Sequence, residues 1–368
     1  MRIPFIDLRL QYENLKESID AAIKRVIEDS SFIGGKYVTD FENEFARKYG
    51  VKNFISTANG TDSLYIIMRM LGIGPGDEVI TVANSWISSS ETITQCGAKP
   101  VFVDIDPVFY TIDENKIEEK INSSTKAIMP VHLFGQMCEM AKIKSIVDKH
   151  NLFLVEDCAQ SHFSEFNGQR AGTFGIAGSF SFYPGKNLGA YGDAGGIIAN
   201  DDTLAVNCKM FSRHGCLVKH DHKIEGINSR LDGLQAAVLS IKLNYIDEWT
   251  EKRIRHASLY SQLLTSNKNV IIPAVRPNTK HSFHLYVVRV KERQALQNHL
   301  KECGIETAIH YPAPLPFLPA YAYLHSDKSE FPVSYLYKDE ILSLPLFPEL
   351  LKGQIEYIVH SINRFYGS

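Results

Sequence analysis

From about Lys52 the chain alternates short apolar runs with amphipathic stretches. That is the rhythm of a parallel sheet covered by helices. The runs NFIST (53–57), EVITV (78–82), PVFVD (100–104), KAIMPV (126–131), LFLVE (152–156), GSFSFY (178–183) and GIIAN (196–200) read as strands. Between them Leu64, Ile67, Met68 and Leu71 recur on one helical face, as do Met140, Ile143, Ile146 and Val147. The texture changes near Asn228. LDGLQAAVLSIKLNYIDEWTEKRIRHASLYSQLL predicts one long helix from about Leu231 to Leu264. After it come a strand near 283–290 (FHLYVVRV) and helices near 292–302 and 352–365, an α+β pattern. PAPLPFLP (312–319) is a loop, because proline joins neither a helix interior nor a central ladder. The expected organisation is a large domain over 1–240, then a bridging helix and a small C-terminal domain over 241–368. An N-terminal helix near 13–28 is expected to pack with the small domain.

A chain of 368 residues is long enough for those two domains. An apolar share of 44% and a charged share of 22% describe an ordinary globular protein. A net charge of −3 argues against nucleic acid or an anionic membrane as partner. No apolar run is long enough to span a bilayer, and the start MRIPFIDLRLQYENL has acids where a secretory signal has a hydrophobic stretch. The cytoplasm is the expected compartment. Six scattered cysteines without a CxxC pair suit free thiols. His214, Cys216, His220 and His222 crowd into nine residues, but no well-spaced second pair accompanies them, so no metal is expected.

Three places carry candidate chemistry. The run LFLVE ends in Asp157, which brings Glu156 and Asp157 to the C-terminal edge of the sheet, where open α/β sheets bind ligands. An acid there also suits a helix N-cap. Next, SFSFY is followed by Pro184, Gly185 and Lys186 in a glycine-rich loop. A lysine held at a sheet edge among small residues suits a Schiff base with an aldehyde. Neither G-x-x-x-x-G-K-S/T nor G-x-G-x-x-G is present, which disfavours a nucleotide loop or a dinucleotide-binding oxidoreductase. Third, STANGT (56–61) runs from a strand through Gly60 into a helix at Thr61, a natural phosphate cradle or simply a capped helix. Together they match pyridoxal 5′-phosphate (PLP), which needs a phosphate anchor, an acid for its pyridine nitrogen and an amine for its aldehyde. Gly60 with Thr61, Asp157, and Lys186 supply these in turn.

Other motifs stand in a recognisable order: IPFIDL, FIGGKYVTDFENEFARKYG (32–50), NGTDSL (59–64), GPGDEVI (74–80), GAKPVFVDID (97–106), EDCAQSH (156–162), SFSFYPGKNLGAYGDAGG (179–196), RHG (213–215), NSRLDGLQAAVL (228–239) and HYPAP (310–314). With them the chain resembles, over essentially its whole length, the DegT/DnrJ/StrS family of nucleotide-sugar aminotransferases. The resemblance implies the fold type I architecture of PLP enzymes, a mostly parallel central sheet in a large domain plus a small α+β domain. It implies that Lys186 carries the cofactor and shuttles a proton, that Asp157 holds the pyridine nitrogen, and that Gln160 bonds the phenolic oxygen. Trp86 would stack on the ring, and Gly60, Thr61 and Ser181 would hold the phosphate. Asn228 would reach that phosphate from the neighbouring subunit, which implies a homodimer with shared sites.

The family's dehydratase branch has histidine where this chain has Lys186, so lysine implies transamination. SFYPGKNLGAYGDAGG, NSRLD and HYP resemble the branch acting at carbon three of the sugar. The implied reaction moves the amine of L-glutamate to a dTDP-3-keto-6-deoxyhexose. A UDP-linked 3-keto sugar, a carbon-four keto-sugar, and a non-catalytic PLP-binding regulator are the alternatives. Tyr183, His310 and Tyr311 are then candidates beside the sugar, although Tyr183 also suits strand packing and His310 a loop anchor. Arg213 would touch the nucleotide diphosphate or serve the fold.

Overall fold

The computed structural model describes residues 1–367. Its centre is a seven-stranded sheet in the order Phe54–Thr57, Gly195–Ala199, Ala177–Ser181, Phe153–Asp157, Thr125–Met129, Glu78–Val82, Lys99–Val103. Only Gly195–Ala199 runs against its neighbours; the other six point one way. Helices cover both faces, so most strand positions are buried and read as continuous apolar runs. The seven expected strands are all present, with ends moved by at most two residues. The run 178–183 stops at Ser181, which leaves Tyr183 in the following turn instead of on the strand.

Helix Gly60–Met70 starts where Asn59 accepts the Asp62 N–H at 2.8 Å on its side chain, an N-cap. Gly60 must be glycine because a Cβ there would lie 2.8 Å from the Ser181 Cβ. The large core centres on Phe45, which is fully buried among Phe41, Tyr49, Phe54, Phe163, Phe180 and Phe182. Phe45 belongs to helix Gly35–Tyr49, an element not foreseen above; its Val38, Phe41, Phe45 and Tyr49 form the inward stripe.

Three other expectations change. The long helix 231–264 is two helices, Gly233–Leu243 and Ile246–Leu264. Asn244 ends the first by turning its amide back onto the carbonyls of Ser240 and Ile241. The N-terminal helix, Leu8–Glu28, packs on Gly233–Leu243 in the large unit, not on the small one. Its inward residues Ala22 and Val26 meet Ala237. What reaches the C-terminal unit is the segment before it, where Ile3 pairs with Ile305. Finally, the strand expected at 283–290 is only Tyr286–Val290, and it pairs with an unforeseen strand, Ile341–Leu344. Helices Ile246–Leu264, Arg293–Glu302 and Lys352–Tyr366 pack around this second core. No helix among the described residues is long and apolar enough to cross a membrane.

Phe45→Ala should destabilise the fold by about 3–5 kcal/mol, the usual cost of emptying a large aromatic site. A lower urea midpoint at unchanged slope would register it; an unchanged midpoint would show that this cluster does not anchor the core.

Candidate active site

Because six strands point the same way, their C-terminal ends share one edge, and a cavity of about 430 Å³ opens there. Ten of the twelve residues singled out above line it: Gly60, Thr61, Trp86, Asp157, Gln160, Ser181, Tyr183, Lys186, His310 and Tyr311. Arg213 and Asn228 do not. Arg213 pairs at 3.7 Å with Glu42, which also accepts the amide and hydroxyl of Ser56, so its guanidinium serves the fold here. Asn228 faces solvent in the single chain.

Asp157 ends the strand Phe153–Asp157 and is 5% exposed. Its Oδ1 accepts the Ala159 N–H at 3.1 Å and its Oδ2 the Ser89 hydroxyl at 2.9 Å. Burial pushes its carboxyl above the ordinary value, against these two hydrogen bonds and the nearby Lys186 charge. Ser85 bonds Ser89 at 2.7 Å, so a short hydroxyl chain backs the acid. Reading the sequence for Trp86 alone missed these serines; ANSWISSSE, with four serines about a single aromatic, was the available signal. Glu156, one residue earlier, faces the other way, as strand alternation requires. Its two oxygens accept the N–H groups of Gly172, Phe174 and Gly175 and the His132 ring. His132 Nδ1 accepts the Cys138 N–H, so its proton sits on Nε2, toward Glu156. Although His132, Glu156 and Cys158 lie close enough for a metal, the carboxylate oxygens and both ring nitrogens are already engaged. The cluster is a strut beneath Asp157.

Lys186 follows a tight turn in which its N–H donates to the Tyr183 carbonyl at 2.8 Å. Its loop is clamped: Asn187 bonds the Ser282 carbonyl, and Lys242 donates to the Gly189 carbonyl at 2.8 Å. The Lys186 amine is half-buried, and desolvation lowers it to about 8 despite the attraction of Asp157. Gln160 is oriented by the Phe134 N–H, which donates to its Oε1 at 2.7 Å and leaves Nε2 to donate to the Tyr311 hydroxyl at 3.0 Å. The N–H groups of Gly60 and Thr61 make no hydrogen bond among the described residues, as expected of a first helical turn. They therefore offer an anion two free donors, with the Ser181 hydroxyl on the same wall. His310 lines the cavity and also anchors its loop, bonding the Ser343 hydroxyl at 2.8 Å; burial lowers it to about 4, so it is neutral. Trp86 and Tyr183 stay largely exposed at the mouth.

An anion cradle, a buried acid and a weakly basic amine thus share one cavity. Residues 13–363 match the DegT/DnrJ/EryC1/StrS aminotransferase family. The chain belongs to that family. It is 44% identical over 368 residues to a protein of Geobacillus stearothermophilus named "Pleiotropic regulatory protein", covering 100% of this chain and 99% of that one. It is 45% identical over 363 residues to the dTDP-3-amino-3,6-dideoxy-alpha-D-galactopyranose transaminase of Aneurinibacillus thermoaerophilus, covering 99% of each. Among solved structures, DesV of S. venezuelae in complex with a ketimine intermediate superposes with a TM-score of 0.97 at 36% identity, over 100% of this chain and 99% of that one. The chain is a PLP-dependent aminotransferase.

Two outcomes are expected. With Ser89→Ala the ionised form of Asp157 loses a hydrogen bond, so its carboxyl rises further and a smaller fraction is ionised at any given pH. The acid limb of the pH profile for turnover should move to higher pH, with kcat down about tenfold or more; an unmoved limb would deny the serine that role. When cofactor-free protein is mixed with PLP, the visible band should form faster as pH rises and level off above about 8. An ordinary lysine would keep accelerating toward pH ~10.4.

Proposed function

We propose that this protein transfers the amino group of L-glutamate to carbon three of a dTDP-linked 3-keto-6-deoxyhexose, as a cytoplasmic homodimer. One observation carries the chemistry: the free N–H groups of Gly60 and Thr61, the buried Asp157 and the Lys186 amine border the same cavity. The match to the A. thermoaerophilus transaminase over nearly both whole chains supports the sugar and its carbon. Asn228 is exposed and does not line its own chain's cavity, which leaves its amide free to reach a partner's and supports the dimer.

The residues fit PLP. Gly60 and Thr61 hold its phosphate by their amides, and Ser181 adds its hydroxyl. Asp157, already bonded through both oxygens, holds the protonated pyridine nitrogen, and forming that pair relieves the cost of its burial. Gln160 Nε2 donates to the phenolic oxygen. Trp86, exposed in the cavity lining, would stack on the ring. The bound cofactor supplies an electron sink for the carbon that loses its proton. Lys186 takes that proton from the amine-bearing carbon of the donor and delivers one to carbon three of the sugar, and a basicity near 8 suits both directions. Neutral His310, with Tyr183 and Tyr311, lines the space left for the sugar. The matches to sugar transaminases over nearly the whole chain favour the enzyme over a non-catalytic regulator.

Purified protein with PLP should show a visible band that bleaches on adding L-glutamate, and Lys186→Ala should remain folded but lose both. Parallel assays with dTDP- and UDP-linked 3-keto sugars, with the aminated carbon assigned by NMR, should favour dTDP and carbon three. A band that ignores glutamate and every keto-sugar would support the regulator instead.

A further inference from the structure

The loop that carries Lys186 is folded into a closed ring. Its neck is tied where the Ala190 N–H donates to the Phe182 carbonyl at 2.8 Å, and the Lys186 N–H donates to Tyr183 across the turn. Gly189 packs directly on Pro184: a Cβ on Gly189 would lie 2.2 Å from the Pro184 carbonyl oxygen. The two flanks of the ring therefore touch, residues 184–189 form one piece, and a pull on Gly189 is a pull on Lys186.

Helix Gly233–Leu243 holds the back of this ring. The buried Gly189 carbonyl accepts from Lys242 Nζ at 2.8 Å, and the Tyr191 N–H donates to Gln235 Oε1 at 2.7 Å. The Tyr191 ring centre lies 4.3 Å from the Lys242 amine, and Tyr12 of helix Leu8–Glu28 meets that ring edge-on. Lys242 is fully buried, and among the described residues the Gly189 carbonyl is its one hydrogen-bond acceptor. Enclosing an amine is costly. A methionine would fill a similar space without that cost, so packing does not account for a lysine here. What the lysine supplies is an N–H for a buried carbonyl that would otherwise be bare. It does not line the cavity.

We infer that Lys242 is a positioning residue for the reaction: by holding the Gly189 carbonyl it sets where the Lys186 amine stands in the cavity. The inference rests on Lys186 as the lysine that carries the cofactor. Because Lys242 acts through Lys186 alone, its effect should vanish where Lys186 is absent.

Full-length protein with Lys186 or Lys186→Ala, each with and without Lys242→Met, is titrated with PLP by equilibrium dialysis. The two proteins that keep Lys186 are then mixed, as holoenzymes, with L-glutamate. In this pair Lys242→Met should slow bleaching of the visible band about 10- to 100-fold, the order that a displacement of about 1 Å costs a reacting group. The half-saturating glutamate concentration should stay within about threefold, well under one factor of ten in affinity. The visible circular dichroism of the band, which reports how the cofactor is set against its lysine, should change as well. In the Lys186→Ala pair PLP affinity should agree within about twofold, as it does for a site that is not coupled. A larger loss of affinity there would make Lys242 a support of the whole site and overturn the proposal. An unchanged bleaching rate would overturn it too. Lys242→Gln, which keeps an N–H on a slightly shorter side chain, should recover part of the rate; no recovery over methionine would show that the N–H is not what matters. If the methionine variant does not fold, the glutamine variant takes its place in the same four-protein comparison, with the same outcomes deciding. If glutamate does not bleach the unaltered protein, the donor reading fails by itself, and the circular dichroism and the Lys186→Ala pair decide on Lys242. No visible band in the unaltered protein would overturn the role of Lys186 and this proposal with it.

Discussion

Everything at the candidate site follows from a directional constraint: six of the seven strands point one way, so six chain exits crowd one edge. Parallel pairing forces each exit to turn back through a helix or long connection. The first turn of helix Gly60–Met70, the serine-rich segment after Glu78–Val82, Asp157 and the Lys186 turn are consequences of that geometry. Glu156 extends it downward. By taking three loop amides and the His132 ring, it ties the strand under Asp157 to the loop over 172–175. The acid that faces the cavity is thus held by an acid that faces the core.

Charge in the site is shaped mainly by loss of water. Burial raises Asp157 and lowers Lys186, and each opposes the other's shift only in part. Both move toward their neutral forms, which is the direction a ligand with a ring nitrogen and an aldehyde would reverse at one and exploit at the other. The cavity adds one further acid, Asp193; its histidine, His310, is neutral, and some of its hydroxyls are paired, Thr61 with Ser88 and Ser85 with Ser89.

The sheet was legible because strands buried on both faces leave unmistakable apolar runs, and the chemistry was legible because polar residues at the ends of such runs have few structural excuses. Asp157 and Lys186 are of that kind. Less legible were elements whose signal is shared with something else. Helix Gly35–Tyr49 lies inside a stretch that reads as a motif, and its stripe of Val38, Phe41, Phe45 and Tyr49 shows only when counted. The break at Asn244 depends on one side chain turning to its own backbone, which no periodicity reveals. The packing of Leu8–Glu28 depends on which of two apolar surfaces is nearer in space. Lys242 sits in a helix sequence, SIKLNY, where nothing distinguishes it from a solvated lysine; burial alone sets it apart.

The lysine that clamps the glycine-rich loop from behind bears on how an aldehyde chooses its amine. Lys242 is fully enclosed, bonds the Gly189 carbonyl and lies 4.3 Å from the centre of the Tyr191 ring. Burial lowers it to about 8, as it does Lys186. Burial thus weakens two amines beside one short loop, so a lowered basicity does not by itself single out Lys186. Access does: Lys186 borders the cavity, while Lys242 is walled off by the loop it supports. Chemoselectivity here is architectural, and anything that loosens the loop would expose a second reactive amine as it displaced the first.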